Sequence, residues 1–264
     1  MDFLYLVHEL HGASGQQPKS ILELAAGPAR HSLEACSRGA SAIALDRCET
    51  MADYGRSLAA AHLSSPSSFQ YVVGDMEACH DALGPEDTVA SAWCLLGSAA
   101  HLLTTEDFVS MLSSVGQVLE DGGTLIVELP HPRETFRLED VTNDGWDVSE
   151  EGNALGIGRG KGGILSVRWG DDDDDFNPVS QVRQATVGLD LRRQGEVVQS
   201  IHEVVPLREF TVMELQAYAL LSGAFDEPIL YGAMEPIEGS PVSVDDEEEA
   251  FRLVAVFRRR ARSP

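Results

Sequence analysis

Three acidic side chains stand at the ends of three apolar runs in the first third of the chain. Glu23 lies inside the first run, Asp46 closes the second, and Asp75 follows the third after a glycine. Parallel strands deliver their carboxyl ends to one edge of a sheet, so we expect the three carboxylates to lie along that edge. Carboxylates there accept hydrogen bonds from the hydroxyl and amino groups of nucleosides. The pattern therefore predicts a nucleoside-cofactor site.

The turn after the first run predicts which kind of nucleoside ligand binds. It reads Ala25-Ala26-Gly27-Pro28-Ala29-Arg30, and Gly27 allows the backbone to approach a ligand closely. The helix that begins near Pro28 offers free amide groups. The glycines of the dinucleotide fingerprint G-x-G-x-x-G are missing, and Glu23 would repel a pyrophosphate. A hydride-transfer enzyme is therefore disfavoured.

Each acid has its own expected partner on the ligand. Asp46, nineteen positions after Gly27, is placed to accept hydrogen bonds from ribose hydroxyls. Glu23 is expected to reach the amino group of an amino-acid-like tail. Asp75 is expected to accept from an adenine amino group, while Met76 packs on the ring.

The charge balance excludes several classes of partner. The chain has 19 basic and 43 acidic residues, a net charge of −24, which repels nucleic acid and anionic membrane surfaces. No apolar run approaches the ~20 residues that span a bilayer. The N-terminus, with Asp2 and Glu9, does not resemble a signal peptide, so we expect a cytoplasmic protein. The four cysteines lack zinc-ligand spacing, and we expect neither a metal site nor disulfides.

Apolar runs and helical patterns alternate from Ser20 to about Leu129. This alternation predicts an α/β fold, a Rossmann-like, doubly wound and mostly parallel seven-stranded sheet with helices on both faces. The predicted strands are 20–25, 41–45, 69–73, 88–94 and 123–129, and the predicted helices are 29–38, 50–63, 76–82 and 105–119. The Asp121-Gly122-Gly123 segment is expected to end the last helix and turn into the last strand.

The pattern changes beyond Leu129. A segment rich in Gly, Asp and Asn at 142–161 precedes alternating runs that predict an antiparallel meander. Its strands are predicted at 164–169, 181–191 and 197–207, before a helix over 211–221 with a capping box and final strands at 229–231 and 251–257. We expect a main domain formed by 1–130 and 211–264, and an inserted small antiparallel β-sheet over 131–210 that caps the substrate site.

Several segments together resemble the class I S-adenosylmethionine-dependent methyltransferases. They read ILELAAGPARHS, ALD, VVGDM, SAWCLLGSAAHLLT and LEDGGTLIVELPHPRETF, and the similarity continues into WGDDDDDFNPVSQ, REFT and FDEPILYGAM. The similarity is closest to the small-molecule branch, which includes sugar N-methyltransferases and glycine/sarcosine-type enzymes. The resemblance implies S-adenosyl-L-methionine as cofactor and S-adenosyl-L-homocysteine as product. Ala25 and Ala29 depart from the family because glycines are common at these positions.

The resemblance also implies a set of cofactor contacts. The methionine part would be held by Glu23, Ala25 and Gly27, and the ribose by Asp46. The adenine would be held by Arg47, Asp75 and Met76. The sulfonium would lie beside Cys94 and Leu95.

Methyl transfer from a sulfonium is an in-line displacement, so positioning of the nucleophile contributes most of the acceleration. A base helps when the acceptor is protonated. The candidate bases or positioning groups are His101, after the fourth strand, and His131, after the fifth. The candidate substrate contacts are Tyr5 and His8 on an N-terminal helix that can act as a lid, with Arg133, Trp146 and Trp169. The sequence leaves open whether nitrogen, oxygen or sulfur of the acceptor is methylated.

Two other functions remain open. One is an NAD-type oxidoreductase on a similar sheet, which the missing glycines weaken. The other is a non-catalytic, methyltransferase-like binding subunit. A degenerate site would be expected to lose Asp46 or Asp75, and both are present, which favours an active enzyme. The expected partner is a small-molecule methyl acceptor, and the sequence leaves a homodimer open.

Overall fold

The chain divides into two compact units, Met1–His131 with Phe210–Pro264, and Pro132–Glu209. The computed structural model describes residues 1–65, 68–84, 87–133, 144–149, 163–237 and 239–261. The first unit begins with alternating helices and strands: α1 (Asp2–His11), β1 (Ser20–Leu24), α2 (Arg30–Ser37), β2 (Ser41–Asp46), α3 (Glu49–His62), β3 (Phe69–Val73), a 3-10 turn (Met76–Ala78), α4 (Cys79–Ala82), β4 (Val89–Cys94), a second 3-10 turn (Ser98–His101), α5 (Thr105–Val118) and β5 (Leu119–Pro130).

The second unit is an antiparallel sheet in the order β10-β9-β7-β6, with β8 paired to β9. Its strands are β6 (Asp144–Ser149), β7 (Gly163–Trp169), β8 (Phe176–Asn177), β9 (Val182–Arg193) and β10 (Glu196–Arg208). The predicted small antiparallel sheet is thus confirmed. β6 was not predicted as a strand, because its Gly- and Asp-rich sequence is typical of a turn. The rest of the irregular segment predicted at 142–161 lies outside the described residues.

The first unit closes with α6 (Val212–Ser222), β11 (Ile229–Tyr231) and β12 (Arg252–Arg258). Its seven strands form one sheet in the order β11-β12-β5-β4-β1-β2-β3. β1 to β5 are mutually parallel, while β12 runs antiparallel to both β5 and β11. The predicted mostly parallel seven-stranded sheet is therefore confirmed. The strand order reverses between β1 and β4, and the carboxyl edge at such a reversal is where α/β sheets bind ligands.

Two apolar layers enclose this sheet because successive strand residues face opposite sides. α5 and α6 pack with Phe108 against the side that carries Leu22. α1 packs against the other side with Ile21 and Trp93. Both helices of the first layer start at capping boxes: Thr211 with Glu214, as predicted, and Thr104 with Asp107, which was not predicted.

The start of β5 differs from the prediction. The strand begins at Leu119 rather than at 123, and the predicted turn at Asp121–Gly123 lies inside it. The pairing with β4 shifts between Val89↔Leu119 and Ser91↔Thr124, so an irregularity in the ladder absorbs the extra residues. Gly122 has φ +75°, and its carbonyl accepts a hydrogen bond from the Ala13 amide at 3.0 Å. A turn-like sequence was therefore read as a break when it forms a bulge.

α1 is a core helix of the first unit. His8 Nδ1 lies 2.7 Å from Thr124 Oγ1, and Thr124 Oγ1 lies 3.0 Å from Ser91 Oγ. Trp93 Nε1 donates to the same Ser91 hydroxyl at 3.0 Å. Burial lowers the pKa of His8 from 6.5 to about 4, because a charged imidazole has no water there.

His8 gives the protein a defined acid sensitivity. Its folded pKa lies below its unfolded value, so the unfolded state binds more protons between pH 6.5 and about 4. The stabilisation is complete above pH 6.5 and is lost as the pH falls towards 4, by up to about 3 kcal/mol. We expect His8→Gln to remove this pH-dependent part of the unfolding free energy, measured by urea titrations at several pH values. If the unfolding free energies of wild type and variant changed with pH in parallel, His8 would not be the source of the acid sensitivity.

Candidate functional site

A cavity of about 280 Å³ lies at the carboxyl edge of the sheet in the first unit. Side chains and backbone from the ends of β1, β2 and β3 and from the segment after β4 line it: Ala25, Leu45, Asp46, Arg47, Gly74, Asp75, Met76, Glu77, Ser98 and His101. The structure thus brings together most of the predicted cofactor contacts and one of the two candidate bases. Leu45, Gly74, Glu77 and Ser98 were not among the predicted site residues.

Asp46 joins the turn after β1 to the end of β2. Its Oδ2 accepts a hydrogen bond from the Gly27 amide at 2.8 Å, and its Oδ1 accepts from the Cys48 amide at 2.8 Å. A carboxylate has about four acceptor positions, so each oxygen keeps one for a ligand. The two backbone amides therefore orient the carboxylate while leaving it able to accept from a pair of hydroxyls.

The turn between β1 and α2 has an unusual backbone. Ala25, Gly27 and Ala29 have φ values of +49°, +51° and +59°. The left-handed region costs a non-glycine residue of order 1 kcal/mol or more. The two alanines thus adopt the conformation for which glycine is favoured, at the positions where the resembled family has glycines. A Cβ added to Gly27 would meet nothing within 4 Å, so space beside this residue is open.

Tyr71 of β3 clamps the same turn, and the sequence analysis did not identify it. Its hydroxyl donates to the Gly27 carbonyl, and the Arg56 guanidinium lies 5.7 Å from the centre of its ring. A Cβ on Gly55 would lie 2.7 Å from that ring, so only glycine fits there. Burial, together with the carboxylates of Asp46 and Glu23, raises the pKa of Tyr71. The hydroxyl therefore stays protonated and donates at neutral pH.

Glu23 is bound to the start of α2. The residue is 4% exposed and does not line the cavity. Its Oε2 accepts from the amide and the hydroxyl of Ser32 at 2.8 and 2.6 Å, and its Oε1 accepts from His31 Nδ1 at 2.8 Å. The carboxylate thus anchors the first turn of α2, where amides are otherwise unpaired. This geometry gives Glu23 a structural role, and its contact with a ligand amine stays a prediction.

Cys94 and Leu95 are also buried away from the cavity. Cys94 is fully buried in the apolar layer beneath α5, and burial raises the pKa of its thiol to about 12. Leu95 packs in the opposite layer with Phe3. After β4, the residues that line the cavity are Ser98 and His101. The predicted contacts of Cys94 and Leu95 with the cofactor stay predictions, and Ser98 and His101 are the residues of this segment that the structure places at the cavity.

The two candidate bases have different surroundings. Burial, and then the positive charge of Arg47, lower the pKa of His101, so its imidazole is neutral at neutral pH and can accept a proton. His131 is buried, and its Nε2 donates to the Val244 carbonyl at 2.9 Å. That nitrogen therefore carries a proton already. His131 does not line the cavity.

The predicted substrate contacts are dispersed. Tyr5 and His8 are buried in α1 and do not line the cavity. Arg133, Trp146 and Trp169 belong to the second unit. There Trp146 of β6 is 47% exposed, and Trp169 of β7 is half-buried opposite Asp144.

The described ranges contain neither a candidate metal site nor a membrane-spanning helix. No group of three His, Cys, Asp or Glu side chains there is arranged to hold a metal ion. Within the same ranges, no helix has the length and apolar character needed to cross a membrane. Each of the four cysteines is free: Cys36, Cys48, Cys79 and Cys94.

The arrangement fits an adenosine-type ligand. Asp46 offers two free acceptor positions for a diol, and Asp75 offers a second carboxylate at the neighbouring strand end. Met76 supplies an apolar surface, and the open backbone beside Gly27 allows close approach. These groups suit hydroxyls, an amine and a flat ring.

Comparison with known proteins agrees with this geometry. Residues 21–123 match the methyltransferase domain family, and this segment contains every residue that lines the cavity. No curated protein sequence matches the chain.

Solved structures match nearly the whole chain. The CcbJ methyltransferase of Streptomyces caelestis has a TM-score of 0.66 at 16% identity, covering 98% of this chain and 88% of its own. The sugar N-methyltransferase KedS8 of Streptoalloteichus has a TM-score of 0.68 at 15% identity, with 98% and 86% covered. An S-adenosylmethionine-dependent methyltransferase of Clostridium acetobutylicum has a TM-score of 0.66 at 13% identity, with 92% and 84% covered.

These structural matches are similarities of fold. Together with the domain match they confirm the resemblance found in the sequence. Residues 21–123 thus match a methyltransferase domain, and the fold of the chain is that of S-adenosylmethionine-dependent methyltransferases.

Proposed function

We propose that the protein transfers a methyl group from S-adenosyl-L-methionine to a nitrogen, oxygen or sulfur atom of a small-molecule acceptor. The observation that carries the proposal is the cavity at the carboxyl edge, in which Asp46 is held by two backbone amides and keeps free acceptor positions. When bound, S-adenosylmethionine supplies a methyl group on a positively charged sulfur. The protein's task is then mainly to bind and orient the reactants.

Different residues of the cavity bind different parts of S-adenosylmethionine. Asp46 accepts from the ribose hydroxyls, and Asp75 and Met76 at the end of β3 hold the adenine. Arg47 flanks the same end of the cavity. The backbone of Ala25 and Gly27 approaches the methionine part, since the left-handed turn leaves the space beside Gly27 open.

His101 is the proposed proton acceptor. Its lowered pKa keeps the imidazole neutral at neutral pH, so it can take a proton from an acceptor as the nucleophile attacks. His131 is less suited, because its Nε2 already donates to the Val244 carbonyl. A capping role for 131–210, acceptor contacts from Arg133, Trp146 and Trp169, and a homodimer stay predictions.

Calorimetric titration of the full chain with S-adenosylmethionine, S-adenosylhomocysteine and NAD tests the proposal. We expect binding of the first two in the micromolar range and none of NAD. Binding of NAD alone would support the oxidoreductase alternative. Binding of the two sulfur compounds without product in a screen of amines, thiols and hydroxy acids would support a non-catalytic subunit.

Replacement of Asp46 tests the ribose assignment. Asp46→Ala removes two free acceptor positions and releases the Gly27 and Cys48 amides. We expect the binding free energy of S-adenosylhomocysteine to weaken by ~1–3 kcal/mol, a roughly fivefold to 150-fold loss of affinity, in calorimetry. Asp53→Ala, which removes an exposed acid of α3 outside the cavity, is the matched control. Equal affinity for the two variants would refute the assignment.

Tyr71 allows a milder test of the turn. Tyr71→Phe removes one hydrogen bond to the Gly27 carbonyl and keeps the ring, so we expect a loss of about 0.5–1.5 kcal/mol in unfolding free energy. Because the left-handed turn is loosened, S-adenosylhomocysteine affinity should fall as well. Tyr54→Phe on α3 provides the control. A loss of stability with unaltered affinity would show that the clamp does not shape the site.

His101→Gln tests the proton acceptor once an acceptor molecule is known. We expect kcat to fall by roughly 10²–10⁴-fold, with S-adenosylhomocysteine affinity little changed. Raising the pH should recover part of the rate if the acceptor must lose a proton. An unchanged kcat at neutral pH would show that positioning alone suffices.

A further inference from the structure

Glu128 of β5 is a buried acid that contacts the loop after β4. It is 5% exposed, and its Oε2 accepts a hydrogen bond from the Leu96 amide at 2.8 Å. Its main-chain carbonyl accepts from the Gly97 amide at 3.2 Å. Arg252 of β12 lies 3.4 Å from its Oε1. A buried carboxylate is costly unless paired, and here the loop amide and the guanidinium offset that cost.

The loop that Glu128 holds is conformationally unfavourable. Leu96 and Gly97 are consecutive left-handed residues with φ values of +56° and +71°. Leu96 is 76% exposed, so little burial of its side chain offsets the backbone cost. The hydrogen bonds from the Leu96 and Gly97 amides to Glu128 therefore favour this conformation.

The same turn sets the position of two cavity residues. Gly97 begins the 3-10 turn Ser98–His101, and Ser98 and His101 line the cavity. Ala99 and Ala100 between them are buried, which fixes the far side of the turn. The left-handed pair Leu96–Gly97 therefore directly precedes the turn that carries the two cavity residues.

We propose that Glu128 is a positioning residue: with Arg252 it holds the left-handed Leu96–Gly97 turn and thereby sets Ser98 and His101 against the cavity. The link to methyl transfer rests on the proposed function. The structural claim stands on the contacts of Glu128 alone.

His101 offers a readout that reports its position. Arg47, Asp46, Asp75 and Glu77 line the cavity with it, and burial followed by Arg47 lowers its pKa. If the turn relaxes, His101 gains water and moves relative to Arg47, so its pKa should rise towards 6.5. A purely structural loss of stability elsewhere would leave this pKa unchanged.

The experiment is an NMR titration of the His101 ring in the folded full chain, with the signal assigned through His101→Gln. We expect Glu128→Ala to raise the His101 pKa and to weaken S-adenosylhomocysteine binding roughly tenfold. Leu96→Asn in the same background should restore part of both, because Asn tolerates the left-handed region better than Leu. Glu209→Ala is the matched control, since Glu209 is a buried acid paired with Arg183 in the second unit.

The His101 pKa in the variants decides whether Glu128 positions the turn. An unchanged His101 pKa in folded Glu128→Ala overturns the proposal, as does an equal shift in Glu209→Ala. If Glu128→Ala does not fold, Glu128→Gln and Arg252→Gln are used. In Glu128→Gln the amide cannot both accept from Leu96 and pair with Arg252, and in Arg252→Gln the buried carboxylate loses its charged partner. A raised His101 pKa is therefore expected in each. If no protein binds S-adenosylhomocysteine, the wild type included, the proposed function fails, while the titration still decides the role of Glu128.

Discussion

The site depends on the two hydrogen bonds that the Asp46 carboxylate accepts from the Gly27 and Cys48 amides. They tie the turn after β1 to the end of β2, so a ligand that contacts Asp46 also meets the backbone beside Gly27. Charge-assisted bonds of this kind are stronger than neutral ones. They help to hold a turn in which two alanines adopt left-handed conformations.

Buried or half-buried carboxylates position backbone throughout this edge of the sheet. Glu23 binds the first turn of α2, Asp46 binds the turn before it, and Glu128 binds the turn after β4. Amides at helix starts and in left-handed turns lack regular partners, and acids satisfy them. A few of the many acidic residues therefore bind backbone amides of the fold, while many others lie on the surface.

The sheet could be predicted because apolar runs alternate with helical patterns along the sequence. The strand-end acids could be predicted because they stand at the ends of those runs. Asp46 and Asp75 reach the cavity since they end parallel strands that share one edge. The hydrogen bonds of Glu23 to Ser32 were not predicted, because Ser32 belongs to the following helix and only the folded structure brings the two residues together. Tyr71 and Glu128 were missed since each reads as an ordinary strand residue, and only packing shows which turn it contacts. The bulge at Gly122 was read as a break for the same reason.

A crystal structure of the full chain with S-adenosylhomocysteine tests the central claim most directly. The account predicts both ribose hydroxyls within hydrogen-bond distance of Asp46, with the Gly27 and Cys48 amides still bound to the same carboxylate. It also predicts adenine beside Asp75 and Met76. A ligand bound elsewhere, or an Asp46 carboxylate turned away from the ribose, would contradict it.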